Sequence, residues 1–207
     1  MATRSRRWGW ALALGLAIAA APAVAAKINE QLAEQYDQQS VALPTTRVVV
    51  VCHGFACKFR TEIGLDDTDH AALRKFMASG TASPEAERAA AANAVAWFGR
   101  RFAPEAGTAG AKARAGPFST GDRSQIDCIE SALNTSSLLL ILDQLGLLRF
   151  HQIEAYASRW RPLDLEVHST AVLTDMRTKR KWAFDSWVRD SGQLPDVLPL
   201  DDWFKGN

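Results

Sequence analysis

Cysteine is scarce in this sequence, and neither sign of charge predominates. Three cysteines occur in 207 residues, and 24 basic residues face 23 acidic ones, for a formal charge of +1. No block of Lys or Arg is long enough to form a basic stripe, so nucleic acid is not an expected partner. Cys52, His53 and Cys57 lie close together but lack a fourth ligand and match no common zinc spacing. We therefore expect neither a metal site nor any other cofactor.

The first 25 residues have the pattern of a cleavable secretory signal peptide. Three arginines and no acid precede an apolar stretch over residues 11–21, and the small residues at 23–25 suit a signal peptidase. Cleavage is expected after Ala25, or else after Ala26. An uncleaved anchor is the weaker alternative, because the apolar run is short of the roughly 20 residues that span a bilayer. A twin-arginine signal, from residues 6 and 7, is also less well matched.

Residues 26–207 are then expected to form one exported domain, periplasmic or secreted, with no stable membrane anchor after cleavage. Removing the three arginines takes the formal charge to −2. About 180 residues suffice for a single well-cored domain.

The first half of this domain predicts helices and a hairpin. Apolar residues four apart in residues 27–39 predict a short amphipathic helix. The runs 47–52 and 58–65 flank a four-residue loop and predict a β-hairpin. An N-cap signal at Ser83-Pro84-Glu85 predicts a helix to about Arg101. Residues 103–124, rich in Gly, Ala and Ser, predict a long loop.

The second half predicts a buried helix followed by strands. Apolar residues repeat at helical spacing from Gln125 to Gly146, where the glycine marks the helix end. Three strand-like runs follow, at residues 150–157, 165–174 and 181–188. A helix followed by consecutive antiparallel strands indicates an α+β fold.

The three cysteines divide into a pair and a single residue. Cys52 and Cys57 flank the predicted hairpin loop, so a local disulfide is expected between them in an oxidising compartment. Cys128 is left alone, where the long loop gives way to the central helix. A free cysteine often serves only as a small buried hydrophobic residue. At a helix N-terminus, however, backbone amides favour the thiolate and can hold an oxyanion.

A thiol nucleophile needs a base, and His168 is the strongest candidate. It lies in a strand-like run, where we expect alternation to turn it toward a face shared with the central helix. The remaining histidines are interpreted as solvated or edge residues: His53, His70 and His151.

Asp185 is the candidate partner of that base. It lies in the next strand-like run in an aromatic setting, where a carboxylate is costly unless it is paired. His168 on the neighbouring strand would supply the pairing. A turn amide, Arg180 or Arg189 are the alternative partners.

In order and placement, Cys128, His168 and Asp185 resemble the transglutaminase-like core of the papain-like cysteine enzymes. The stretches VCHGFACK, QIDCIESALNTSSLLLILDQLGLLRFH, VHSTAVL and FDSWVRDSGQLPDVLPLDDWF are moreover similar to a family of exported proteobacterial proteins. The resemblance covers most of the mature chain. It implies a papain- or transglutaminase-like core, in which a central helix packs on an antiparallel sheet, with a hairpin and helices on its N-terminal side.

The resemblance implies Cys128 as nucleophile, His168 as general base and acid, and Asp185 as the group that orients His168. Such a triad puts the Cys128 sulfur within about 4 Å of one His168 ring nitrogen and Asp185 on the other. Transglutaminases usually carry Trp or Gly after the nucleophile and an aromatic residue soon after the histidine, whereas Ile129 and Ser169 stand here. Hydrolysis of an amide or peptide bond is therefore expected rather than crosslinking.

Two functions stay open at this point. The first is a cysteine hydrolase of peptide or protein substrates, cell-envelope material among them; the second is a non-catalytic envelope protein, binding or structural, on the same scaffold. Gln125 is a candidate oxyanion donor, although a role at the helix start is favoured. Four tryptophans are interpreted as packing residues: Trp160, Trp182, Trp187 and Trp203.

Overall fold

The structure of the chain is a computed structural model that describes residues 29–161 and 166–206. The predicted signal peptide and its cleavage site lie outside these residues. Within them, no helix is both long enough and apolar enough to cross a bilayer.

Helices and strands alternate irregularly along the described chain. The helices are α1 (Glu30–Gln38), α2 (Asp67–Ala78), α3 (Pro84–Ala106), α4 (Cys128–Gln144) and α5 (Leu200–Phe204). The strands are β1 (Val48–His53), β2 (Phe59–Gly64), β3 (His151–Arg161), β4 (Glu166–Asp175), β5 (Lys181–Asp185) and β6 (Asp196–Pro199). A single 3-10 turn, Pro117–Ser119, lies in the segment between α3 and α4.

The strands form two antiparallel sheets. β1 and β2 make the predicted hairpin, and β3, β4, β5 and β6 make a four-stranded sheet in which each strand pairs with its neighbours in sequence. Because both sheets are antiparallel and consecutive strands pair with each other, the expected α+β class is confirmed.

Helix α4 lies at the centre of the fold. Its run of leucines and isoleucine at residues 138–142 is at most 1 % exposed throughout, which requires neighbours on every side of the helix. The same apolar cluster includes Val49 of the hairpin, Phe98 of α3 and Leu173 of the four-stranded sheet. The hairpin, α3 and the sheet therefore all pack around α4.

The two faces of the four-stranded sheet are covered by different elements. Leu173 of β4 packs in the cluster that contains α4. Val172, the adjacent residue, points the other way and packs with Leu200 and Trp203 of α5. β4 is consequently buried on both sides, and its alternate residues face two separate environments.

The structure departs from the sequence predictions at several helices and strands. Helix α2, which begins with a capping box between Asp66 and Asp69, was not expected, and neither were β6 and α5. Helix α3 continues past Arg101 and ends where Gly107 takes a left-handed conformation, with φ of 75°. β5 ends at Asp185, so residues 186–188 leave the sheet.

Candidate active site

Cys128 is the first residue of α4, and a capping box fixes its position. The Asp127 side chain accepts the backbone N–H of Glu130 at 2.7 Å, and the Glu130 side chain accepts that of Asp127 at 2.8 Å. This reciprocal pair sets the direction in which the chain enters the helix. Burial, followed by the charge of Asp127, raises the pKa of Glu130 to about 7.

A disulfide-closed loop is docked on this first turn. Cys52 and Cys57 form the expected disulfide. The Ala56 N–H donates to Asp127 at 2.8 Å, and the Cys57 N–H donates to Glu130 at 2.9 Å. Residues 55–57 all have positive φ, at 73°, 51° and 50°, a conformation that costs free energy in residues other than glycine. The disulfide and the two carboxylates thus hold a strained loop against the start of α4.

The Cys128 thiol is buried and protonated. Cys128 is only 9 % exposed. Its Sγ donates a hydrogen bond to the carbonyl oxygen of Val167 at 3.4 Å. Burial, followed by the charge of Asp127, raises the pKa of this thiol to about 11, which outweighs the lowering by backbone amides of Ser169, Cys128 and Ile129. The helix N-terminus alone therefore does not produce the thiolate that the sequence led us to expect.

His168 and Asp185 form the predicted pair. His168 Nε2 lies 2.5 Å from Asp185 Oδ2, and the same oxygen accepts the indole N–H of Trp203 at 2.8 Å. His168 and Asp185 are 0 % and 3 % exposed. His168 Nδ1 and Asp185 Oδ1 have no hydrogen-bond partner within the described ranges 29–161 and 166–206. The ring is therefore oriented through one nitrogen, while the other is left for a further group.

Two tryptophans enclose the imidazole. The ring of Trp187 lies 4.7 Å from that of His168, between centroids, and the ring of Trp203 lies 5.3 Å away. Both were interpreted as packing residues, and both do pack, against the imidazole of His168. A hydrogen bond in such a water-poor setting is stronger than one in solvent, so the indoles reinforce the His168–Asp185 pair.

His168 does not lie where the sequence predicted, on a face of β4 shared with the central helix α4. His168 shares its face of β4 with Val172 and contacts Trp203 of α5, so it does not lie on the face that packs against α4. The thiol instead meets β4 along its backbone, at the carbonyl of Val167 and close to the amide of Ser169. No hydrogen bond joins Sγ to Nδ1. The two groups thus flank the same stretch of β4 with no hydrogen bond between them.

The other candidate residues have structural partners. Gln125, considered as an oxyanion donor, accepts the N–H of Lys112 at 3.0 Å through its side-chain oxygen and donates to Ser124. It holds the segment before α4 together, in line with the favoured role at the helix start.

The three remaining histidines are buried, which corrects their interpretation as solvated or edge residues. His53 contacts the carbonyl oxygen of Arg123, His70 contacts that of Thr46, and His151 contacts the carboxylate of Glu87. Each is 5 % exposed or less. Each ring therefore replaces water with a protein partner, as buried polar groups must.

The site holds the parts needed for acyl transfer by a thiol. There is a thiol at a helix start, an imidazole oriented by a carboxylate, and the backbone amides of Cys128 and Ile129 beside the sulfur. No protein-family model, curated protein or solved structure matches the chain. In the described part of the chain, no group of three or more His, Cys, Asp or Glu side chains is placed to hold a metal ion.

Proposed function

We propose that this protein is an exported cysteine hydrolase with a transglutaminase-like core, which cleaves an amide or peptide bond through an acyl-enzyme on Cys128. The observation that carries the proposal is the hydrogen bond between His168 Nε2 and Asp185, which leaves Nδ1 unpartnered on the strand that the Cys128 sulfur contacts. A histidine that acts as base for a thiol needs an orienting group on one ring nitrogen and must keep the other nitrogen free to accept the proton.

The reaction begins with the thiol changing its hydrogen-bond partner. The proposal requires Sγ of Cys128 to exchange the carbonyl of Val167 for Nδ1 of His168, and so requires the two side chains to move toward each other at this stretch of β4. The proton passes to Nδ1, and Asp185 stabilises the imidazolium that forms. Because the pKa of the free thiol is raised to about 11, the thiolate exists at neutral pH only as an ion pair with that imidazolium.

Acylation and hydrolysis then follow in two steps. The sulfur attacks the carbonyl carbon, a C–S bond forms, and the backbone N–H groups of Cys128 and Ile129 hold the oxyanion. The C–N bond breaks as His168 gives its proton to the leaving amine. Water, deprotonated by the same imidazole, attacks the thioester; the C–S bond breaks, and the thiol regains its proton.

Export accounts for the disulfide. The Cys52–Cys57 bond persists in an oxidising compartment such as a periplasm or the extracellular medium. The near-complete burial of Cys128 protects the one free thiol of the described chain from oxidation there. A peptide or protein substrate of the cell envelope fits this location.

The second candidate is a non-catalytic envelope protein on the same scaffold, which binds or has a structural role. The observation that favours it is the resting hydrogen bond of Cys128 to Val167, together with the raised thiol pKa. In this case the thiol is a packing residue, and His168 and Asp185 serve only to join β4 to β5.

Alkylation of Cys128 across pH separates the two. Cys52 and Cys57 are joined, so iodoacetamide labels Cys128 alone, which mass spectrometry can quantify. If Cys128 and His168 form an ion pair, the labelling rate of the wild type reaches a plateau near neutral pH. At pH 7 this rate exceeds that of His168→Ala by about 100-fold, because a thiol whose pKa is about 11 is only about one part in 10⁴ ionised at that pH. Wild-type labelling that rises tenfold per pH unit toward pH 11, no faster than in His168→Ala, would exclude the hydrolase.

A further inference from the structure

A small cavity lies beside the candidate active site. Its volume is about 90 Å³, and it is bounded by α3, by α4 and by the segment that follows β5. Ser131 of α4 lines it, one helical turn after Cys128. Trp187, whose ring packs on His168, lines it from the other side. Cys128 and His168 do not line the cavity themselves, but each has a neighbour that does: Ser131 on the same helix and Trp187 against the imidazole.

The inner wall of the cavity is apolar. It is formed by side chains that are each 6 % exposed or less: Val51, Val95, Phe98, Phe102, Ala103 and Ala111. Thr135 and Ser186, the hydroxyls at this wall, lie 2.9 Å apart and hydrogen-bond to each other. Asn134 is occupied on both sides of its amide by the backbone of Cys52. These polar groups are thus already paired, whereas the indole N–H of Trp187, which also lines the cavity, has no hydrogen-bond partner in the described chain and is the one donor left beside the apolar wall.

Charged side chains occur only at the rim of this cavity, among the residues that line it. Lys112 and Asp190 are exposed and pair with each other at 3.2 Å. Arg189 is turned to Asp196 at 2.6 Å. With these charges neutralised at the entrance, the inner space offers no partner to a charged group, and burial there would be costly for one.

The volume limits the size of the occupant. A water molecule takes about 30 Å³ of liquid, and a cavity of about 150 Å³ accepts benzene. A space of about 90 Å³ therefore holds three or four carbon atoms. Glycine and alanine side chains would leave most of it empty, and a benzene ring needs a larger volume than this.

We propose that this cavity is the specificity pocket for the substrate and takes a branched aliphatic side chain of valine or leucine size next to the scissile bond. Its role in turnover rests on the hydrolase proposed above, whereas its capacity to bind the aliphatic group does not. Burial of the aliphatic group in an apolar pocket near the nucleophile is favourable, and it fixes the position of the neighbouring carbonyl carbon relative to the sulfur.

A substitution that fills the cavity tests the proposal. Ala103→Val adds two methyl groups to the inner wall, and Ala89→Val, on an exposed position of the same helix, is the matched control. The substrates are the p-nitrophenyl esters of N-acetyl-leucine and N-acetyl-glycine, with Cys128→Ala giving the background rate. We expect wild type and Ala89→Val to prefer the leucine ester at least tenfold in kcat/KM, and Ala103→Val to lose that preference.

Phe98→Leu provides a second variant that does not depend on overpacking the wall. It enlarges the cavity, so the preference is expected to move toward the N-acetyl-phenylalanine ester. Equal kcat/KM for the leucine and glycine esters in the wild type, or a leucine preference that neither variant changes, would overturn the pocket.

A binding measurement separates failure of the pocket from failure of the hydrolase. N-acetyl-leucinamide and N-acetyl-glycinamide are titrated calorimetrically into Cys128→Ala, with and without Ala103→Val. Selective binding of the leucine compound that Ala103→Val abolishes supports the pocket even if no ester is turned over. Ester turnover with no difference between the two amides would leave the hydrolase standing and exclude the pocket.

Discussion

Two buried histidine–carboxylate pairs occur in the described part of the chain, and they are built differently. His151 Nδ1 lies 2.9 Å from Glu87 Oε1 where α3 meets the start of β3, and His168 Nε2 lies 2.5 Å from Asp185 Oδ2 between β4 and β5. All four side chains are 3 % exposed or less. Burial and pairing alone thus do not distinguish a structural pair from a catalytic one.

The difference lies in the remaining hydrogen bonds. Glu87 also accepts the backbone N–H groups of residues 149–151, and the second nitrogen of His151 contacts Arg88 at 3.2 Å. In the other pair, His168 Nδ1 and Asp185 Oδ1 find no partner within the described chain. A saturated pair fastens two elements together, whereas an unsaturated one retains a nitrogen that can exchange a proton. The first pair therefore has a structural role, and the second is the pair to which the proposed hydrolase gives a chemical one.

The largest expected effect comes from removing each histidine in turn. His168→Ala should lower kcat/KM for ester hydrolysis by about 10³-fold, equivalent to about 4 kcal/mol, because the thiol loses its base. His151→Ala, the matched control, should leave kcat/KM unchanged while lowering the melting temperature. Steady-state kinetics and thermal unfolding of both variants make the measurement. Similar kinetic losses in the two variants would abolish the distinction between the pairs.

The free energy of unfolding should depend more on the Glu87–His151 pair than on the His168–Asp185 pair. Glu87→Ala strands three backbone amides and an imidazole in the interior, and should lower the free energy of unfolding by about 3 kcal/mol. Asp185→Ala removes the acceptor of only two donors and should cost less. Urea denaturation measures both, with Glu85→Ala on the exposed side of α3 as control. A larger loss in Asp185→Ala would indicate that the second pair is also a structural clamp.

The disulfide loop should affect one pair and not the other. Replacing both Cys52 and Cys57 by alanine frees a short loop and should lower the free energy of unfolding by about 2 kcal/mol. Because the loop amides hold Asp127 and Glu130, iodoacetamide labelling of Cys128 near neutral pH should lose its plateau. The ring proton resonances of His151 should stay in place, since the loop makes no hydrogen bond to that pair. An unchanged labelling profile would separate the loop from the site.

The sequence predicted the residues of the site better than their arrangement. Cys128 at a helix start, and Asp185 beside His168, follow from local signals: the end of a Gly-, Ala- and Ser-rich loop, a strand run, and a carboxylate that needs a partner. The face of β4 on which His168 lies did not follow, because it depends on α5, a five-residue helix with no periodic signal. Trp203 belongs to that helix, so its hydrogen bond to Asp185 could not be predicted from the sequence either.

The structural pair was also missed, for a similar reason. Glu87 lies in the first turn of α3, where an acid is favoured by the helix dipole and calls for no further explanation. Its true partners, at residues 149–151, are brought close only when α3 packs beside α4 and β3. The α+β class and the hairpin, by contrast, rest on local patterns and were predicted.

The smallest effect is expected from Asp185→Asn, and Trp203 is the reason. Loss of the charge weakens the imidazolium and should lower kcat/KM about tenfold. In other triads an asparagine can turn its amide nitrogen toward the histidine and hold the wrong tautomer, at a far larger cost. Here the indole N–H of Trp203 points at the oxygen that His168 uses, so it requires an acceptor at that position and keeps the amide oxygen facing the ring.

This argument makes the effect of the asparagine depend on a residue outside the triad. With Trp203→Phe added, both amide orientations become available, and the loss for Asp185→Asn should grow from about tenfold to at least 100-fold. Trp203→Phe alone keeps the carboxylate, which accepts from His168 with either oxygen, and should change kcat/KM little. A double-mutant cycle on ester hydrolysis measures the coupling. Additive losses would show that the indole only packs against His168.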